Sequence, residues 1–327
     1  MATIAVPNQV SIAADAEALY KACKGWGTDE KAIIQVLGRR NAGQRRLIRF
    51  AYQELYKEDL VRRLEKELTG DFERAVYRWI LDPADRDAVL AHLELRKSTD
   101  QYPVLVEISC TRSSEELLSI RRAFHARYQR SLEEQVYDNT KGRSLFTGMI
   151  SESFACFSQL LIRLVSAIRY EGEEINKTLA KSEAKVLHEA IKDKKLNNDE
   201  VIRILTTRSK LQLQLIFNVY REEQGTSITK NLPNKSKDEF LATLRITVRC
   251  LKDPKKYFEK VLRDSMQRLG TDEDALTRVI VTRAEKDLKE IKELYYKRNN
   301  VRLDEAVDKD TRGDYKDMLL TLLGNEV

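Results

Sequence analysis

The chain has 327 residues and a mass of 37.9 kDa, with 42% hydrophobic and 34% charged residues, 12 glycines and 5 prolines; it is long enough for a sizeable core, and its balance suits amphipathic helices better than a strand-and-turn fold. The formal charge of +6 leans toward acidic partners, yet opposite charges are interspersed, as in Arg62-Arg63-Leu64-Glu65-Lys66-Glu67, which is also how solvated helix faces read. No apolar run approaches the ~18 residues of a spanning helix, residues 1–11 lack the form of a signal peptide, and Cys23, Cys110, Cys156 and Cys250 lack disulfide-framework or zinc spacing, so the expectation is a cytoplasmic protein of a reducing compartment whose membrane contact is peripheral.

After a short tail, residues 1–12, the chain repeats itself four times, at residues 13–78, 85–150, 181–246 and 256–321. Arg40, Arg112, Arg208 and Arg283 mark equivalent points. Eight residues beyond each stands isoleucine (Ile48, Ile120, Ile216, Ile291), twelve beyond an aromatic (Tyr52, Phe124, Tyr220, Tyr295), and twenty beyond an aliphatic (Leu60, Leu132, Ile228, Leu303). Steps in multiples of four place these residues on one buried stripe along helices joined by a short turn. Each unit of about 70 residues should therefore hold about five short helices. The anchors lie 72, 96 and 75 residues apart. This predicts a linker over residues 151–180 that divides the chain into a first and a second pair of repeats.

Two repeats carry a further pattern. Repeat 1 contains Lys24-Gly25-Trp26-Gly27-Thr28-Asp29-Glu30 and repeat 4 contains Gln267-Arg268-Leu269-Gly270-Thr271-Asp272-Glu273. By itself this reads as a helix start, with glycine in the turn, threonine as cap and acids at the positive end of the helix dipole. Forty residues beyond Gly27 and Gly270, however, the same two repeats carry Glu67 and Asp310. Calcium takes six to eight oxygens; a tight glycine turn can aim main-chain carbonyls at one point while a carboxylate from a second loop closes the cage. Repeats 2 and 3 hold Asn139 and Lys235 in the acid's column, and Lys97-Ser98-Thr99-Asp100 and Lys195-Leu196-Asn197-Asn198 in place of the turn. Turn and acid are present together or absent together, as a shared ligand role requires.

Gly-x-Gly-Thr followed about forty residues on by an acid, in four units of about seventy, resembles the annexin pattern, and the loss of sites from repeats 2 and 3 with a very short tail resembles the plant branch. The resemblance implies an all-α fold of four repeats of about five helices each, arranged as two pairs in a slightly curved disc. Carried over by position, it implies calcium held by the carbonyls of Cys23, Gly25 and Gly27 with the Glu67 carboxylate, and by Met266, Arg268, Gly270 and Asp310 in repeat 4. Arg268 replaces the motif's first glycine, so repeat 1 is expected to be the stronger site. Glu30 and Glu273 are candidates for accessory ions, with capping as the alternative. Trp26, between two ligand glycines, is expected to enter the headgroup boundary; Trp79 is expected in the core. The implied function is calcium-dependent binding to anionic phospholipid, such as phosphatidylserine, in calcium or stress signalling, with a calcium-permeable channel as the alternative.

Rival functions find little support. His92, His125 and His188 are scattered, no phosphate-binding glycine loop occurs, and Arg39-Arg40-Asn41 stands where some plant annexins carry a histidine linked to peroxidase activity. Asp310-Thr311-Arg312-Gly313 is similar to a proposed nucleotide-binding element, but Asp310 has the better reading as a ligand. Ile202-Arg203-Ile204 is similar to a proposed actin-contact element, with a buried helix turn as the alternative. No nucleic-acid reader motif is present. Cys110 and Cys250 fall near cysteines discussed as redox-sensitive in plant relatives, against the default of buried inert thiols.

Overall fold

The computed structural model describes residues 1–7, 9–25, 27–97, 102–147, 152–233, 238–267 and 270–325. Trp26, Lys235 and Arg268 lie outside them. Among the described residues every regular element is a helix, five to a repeat. Repeat 1 comprises α1 (Ile12–Ala22), α2 (Glu30–Leu37), α3 (Ala42–Tyr56), α4 (Leu60–Glu67) and α5 (Gly70–Ile80). Repeat 2 comprises α6 (Pro83–Arg96), α7 (Pro103–Thr111), α8 (Ser114–Tyr128), α9 (Leu132–Thr147) and α10 (Glu152–Val165). Repeat 3 comprises α11 (Lys177–Lys192), α12 (Asp199–Thr207), α13 (Lys210–Gln224), α14 (Ile228–Asn231) and α15 (Glu239–Lys252). Repeat 4 comprises α16 (Pro254–Met266), α17 (Glu273–Arg283), α18 (Leu288–Asn299), α19 (Leu303–Asp310) and α20 (Gly313–Leu322).

The recurring columns are the core. All twelve isoleucine, aromatic and aliphatic positions are buried, because residues four apart share one face of α3, α8, α13 and α18 and the third column opens the helix that follows. Trp79 is also fully buried, and its indole N–H donates to the Leu37 carbonyl at 2.7 Å. The guanidinium of buried Arg45 lies 3.7 Å over the Trp79 ring.

The anchor arginines have a role beyond marking the period. Arg40 donates to both carboxylate oxygens of Asp15, at 2.6 and 2.8 Å. Arg112 binds Asp87 at 2.6 Å, and Arg208 binds Glu183 at 2.7 Å. Each acid stands 25 residues before its arginine. Repeat 4 departs: Phe258 holds that column, Arg283 lies 4.7 Å over its ring, and Asp287 supplies the carboxylate at 2.6 Å. A buried guanidinium needs a partner because stripping its water without one costs several kcal/mol, on the order of 3–5.

Two sequence expectations are corrected here. The linker expected over residues 151–180 contains α10, so the non-helical connection shrinks to residues 166–176. α10 packs against α7, α9, α12 and α15; its apolar stripe, including fully buried Leu160 and Leu161, belongs to the core. The pairing of repeats also differs from their order in the chain. One compact unit is Met1–Arg86 with Lys255–Val327, the other Asp87–Pro254. In the first, α5 packs on α17 and α20, and α2 on α20; in the second, α10 packs on α12 and α15, and α7 on α15. The outer repeats thus bury their apolar faces on each other by the same helix contacts as the inner two. Spacing along the chain reports only covalent distance and cannot reveal this choice.

Candidate metal centres

Among the described residues no three His, Cys, Asp or Glu side chains stand close enough to hold an ion by themselves. A cation site here has to draw on main-chain carbonyls, so the loops that expose them decide the matter.

The loop between α1 and α2 is closed by the Asp29 amide donating to the Ala22 carbonyl at 2.9 Å, and the loop between α16 and α17 by Asp272 donating to Ser265 at 2.8 Å. In both, the aspartate caps the next helix: Asp29 Oδ1 accepts from the Ala32 amide at 2.9 Å and Asp272 Oδ1 from Ala275 at 3.0 Å. Threonine is therefore not the cap, and Glu30 and Glu273 are the first helical residues rather than caps. Gly25, Gly27 and Gly270 have φ of +117°, +85° and +87°, with no heavy atom within 4 Å of where a Cβ would stand. Only glycine holds this turn without strain, and no side chain crowds the turn at these positions. Repeat 3 builds a tighter loop: the Lys195 amide closes on Ala190 at 2.9 Å, and Asn198 caps Val201 at 2.9 Å. In repeat 2, Asn139 in the acid's column turns its amide back to the Gln135 carbonyl at 2.8 Å.

Glu67 is the last residue of α4 and Asp310 the last of α19. Each centre is thus built on the C-terminal ends of two helices, α1 with α4 and α16 with α19, where unpaired carbonyls and the negative end of the macrodipole favour a cation. The distant acid reaches the loop in both repeats. In repeat 4, Thr271 Oγ1 donates to Asp310 Oδ2 at 2.7 Å and to the Asp310 carbonyl at 3.1 Å. In repeat 1 the connection runs through Arg63, whose Nη2 bonds the Cys23 carbonyl and lies 3.1 Å from Glu67 Oε1. One cationic nitrogen is shared by a loop carbonyl and the acid of the motif. The Cys23 carbonyl and the Glu67 carboxylate, two oxygen groups of the kind calcium takes, therefore lie around the same nitrogen. Among the described residues of repeat 4 no cation intervenes: the Thr271 hydroxyl itself ties the loop to Asp310, with Gly270 next to it in the chain and Met266 at the end of α16. Glu273 and Asp310 also line one open cleft of about 340 Å³ with Asp71, Phe72, Thr311, Arg312 and Tyr315, while the Tyr315 hydroxyl donates to the Glu273 carbonyl at 3.2 Å.

Arg63 was not singled out from the sequence, although its position four residues before Glu67, with Gln135, Asn231 and Ala306 in the same column of the other repeats, was readable. The remaining candidates resolve as structure. Ile202 and Ile204 are fully buried, and Arg203 pairs with Glu183 and Glu200, so this stretch is a core helix turn. Cys23, Cys110 and Cys250 are buried and Cys156 is half-buried. Burial pushes the thiols of Cys23 and Cys110 up to about 11. His92 stacks on Tyr128 with centroids 3.8 Å apart, and burial holds its imidazole below the usual range. No described helix is long and apolar enough to cross a membrane.

The Annexin family model matches residues 14–79, 86–144, 182–244 and 257–322, one match to each repeat. The annexin-like protein RJ4 of Fragaria ananassa is 59% identical over 326 residues, covering 100% of both chains. Annexin D7 of Arabidopsis thaliana is 50% identical over 327 residues, covering 100% of this chain and 99% of its own. The solved structure of annexin III superposes with a TM-score of 0.87 at 29% identity, over 100% of this chain and 98% of that one. With four repeats of five helices, glycine turns in the outer two and these relatives along its whole length, the chain belongs to the annexin family, in its plant branch.

Proposed function

We propose that this protein binds anionic phospholipid surfaces through calcium held at the α1–α2 and α16–α17 loops, moving from the cytoplasm to the membrane when calcium rises, in calcium or stress signalling. Annexins in general bind phospholipid in a calcium-dependent manner and are generally non-enzymatic. The observation that carries the reading for this chain is the convergence of the Cys23 carbonyl and the Glu67 carboxylate, 44 residues apart in sequence, on one cationic nitrogen.

In repeat 1 the carbonyls of Cys23, Gly25 and Gly27 and the carboxylate of Glu67 would hold the ion; in repeat 4 the corresponding groups belong to Met266, Arg268, Gly270 and Asp310. Calcium wants six to eight oxygens, so an ion with so few protein ligands supplies open positions that phosphate oxygens of a lipid can fill. Such loops bind weakly in free solution, toward the ~10⁻³ M end of the range for protein calcium sites. Lipid and calcium then strengthen each other's binding by linkage. The Thr271 hydroxyl orients the Asp310 carboxylate, and the main-chain amides of Asp29 and Asp272 close both turns.

Cosedimentation with phosphatidylserine and with neutral vesicles, with and without calcium, tests this. Calcium-dependent binding to the anionic vesicles is expected for the wild type and lost in Glu67→Gln with Asp310→Asn. Unchanged binding by the double variant would sink the site assignment. Calcium-independent binding abolished by salt would replace it with adsorption of a basic surface.

A further inference from the structure

We infer that Arg63 is a tethered competitor for the repeat 1 calcium site: in the calcium-free protein its guanidinium occupies the position the ion takes, and calcium binds only by displacing it. The inference rests on the site reading above and adds to it an affinity-determining residue.

Arg63 Nη2 bonds the Cys23 carbonyl and stands 3.1 Å from Glu67 Oε1. Calcium–oxygen distances run about 2.3–2.6 Å. An ion ligated by these two oxygens therefore falls in the gap that Nη2 fills, and two cations cannot share it. The arginine is poised to leave. Its side chain is 30% exposed, Glu58 Oε1 offers a second carboxylate 3.8 Å from Nη1, and its Nε is buried with no hydrogen-bond partner among the described residues. A guanidinium whose best contacts are all made would be an immovable part of the fold; this one is partly satisfied and has another acid within reach.

The column across the repeats supports a site-specific role. Where repeat 1 has Arg63, repeats 2, 3 and 4 have Gln135, Asn231 and Ala306, so the cation occurs in one of the two repeats that carry the glycine turn and the acid. In repeat 4, with alanine there, Asp310 is met by the neutral Thr271 hydroxyl instead. Repeat 1 has the fuller glycine turn but must exchange one cation for another. Its calcium threshold is therefore higher than the turn alone would set. Charge-assisted hydrogen bonds that have to break at a partly exposed side chain correspond to a factor of about ten in affinity.

The test isolates repeat 1 in the full chain by using Asp310→Asn as background. The calcium concentration for half-maximal binding to phosphatidylserine vesicles and the calcium-induced rise in Tm without lipid are measured for that background, for Arg63→Gln and for Glu67→Gln. Arg63→Gln is expected to lower the calcium requirement about tenfold in both measurements. An unchanged or raised requirement, in a variant whose calcium-free Tm matches the background, overturns the competitor role while leaving the site intact. If Glu67→Gln itself leaves the requirement unaltered, the site reading fails first. A converse variant guards against misfolding of the first: in a Glu67→Gln background, Ala306→Arg is expected to raise the repeat 4 requirement, and no change there counts against the inference.

Discussion

Replacing Asp15 with asparagine tests the reasoning about the buried anchors. Asp15 on α1 receives two hydrogen bonds from Arg40, at 2.6 and 2.8 Å, and the two side chains are only 10% and 11% exposed. The amide keeps the shape and removes the charge, so Arg40 is left as an unpaired cation in a nearly closed site, and the Arg40 carbonyl that receives Arg45 at 2.5 Å loses its fixed position. Breaking one side of a buried pair costs about 3–5 kcal/mol; with this slight exposure the low end, about 3 kcal/mol, applies. For a unit of this size that is a fall in Tm of roughly 6–12 °C. Because Cys23 caps the C-terminal end of α1, the loss should also raise the calcium needed for vesicle binding. Differential scanning calorimetry of the wild type, Asp15→Asn and Asp15→Asn with Arg40→Met provides the measurement, with the double variant expected to recover part of the loss. A fall below about 2 °C for the single variant would refute the claim that this pair fastens α1 to the segment after α2.

Two further outcomes follow from the site and its surroundings. Asp29→Ala and Asp272→Ala each remove a helix cap and are expected to cost about 1 kcal/mol in urea unfolding, with a raised calcium requirement because the cap fixes the residue whose main-chain amide closes the loop; stability loss without any change in calcium requirement would separate the two roles. Burial raises the thiols of Cys23 and Cys110 to about 11 from 9.0, so the folded state favours the neutral form. Their contribution is fully present below pH 9 and is lost as the pH rises toward 11, because the unfolded chain ionises first. Tm should therefore fall across that window less steeply in Cys110→Ala than in the wild type; equal slopes would show that the thiol is not coupled to folding.

Much of the fold was legible because it is written in periodicity. Ile48, Tyr52 and Leu60 and their counterparts lie at helical spacings, and a stripe that recurs four times has one physical use, burial. The glycine turns and the acids forty residues beyond were legible for a similar reason: glycine at positive φ and a carboxylate are local requirements of a main-chain cation site. The acid 25 residues before each anchor was equally present in Asp15, Asp87 and Glu183, but it escaped notice because repeat 4 replaces it with Phe258 and takes its carboxylate from Asp287. Arg63 escaped for another reason. In sequence it is one of several charges on α4, and an i,i+4 pair with Glu67 is what any solvated helix carries; nothing along the chain tells that the same guanidinium also reaches the Cys23 carbonyl.

By itself the sequence determined the class of fold, the number of repeats, which two of them carry the glycine turn with its acid, and which residues are core, since each follows from local conformational preference or from a repeated apolar period. Only the tertiary structure decided that the outer repeats pack together and the inner ones together, that α10 belongs to the core rather than to a linker, and that the Arg63 guanidinium reaches the Cys23 carbonyl as well as Glu67. Those outcomes depend on which apolar faces bury each other and on contacts between residues forty or more positions apart, and the order of residues along a chain does not encode distances of that kind directly.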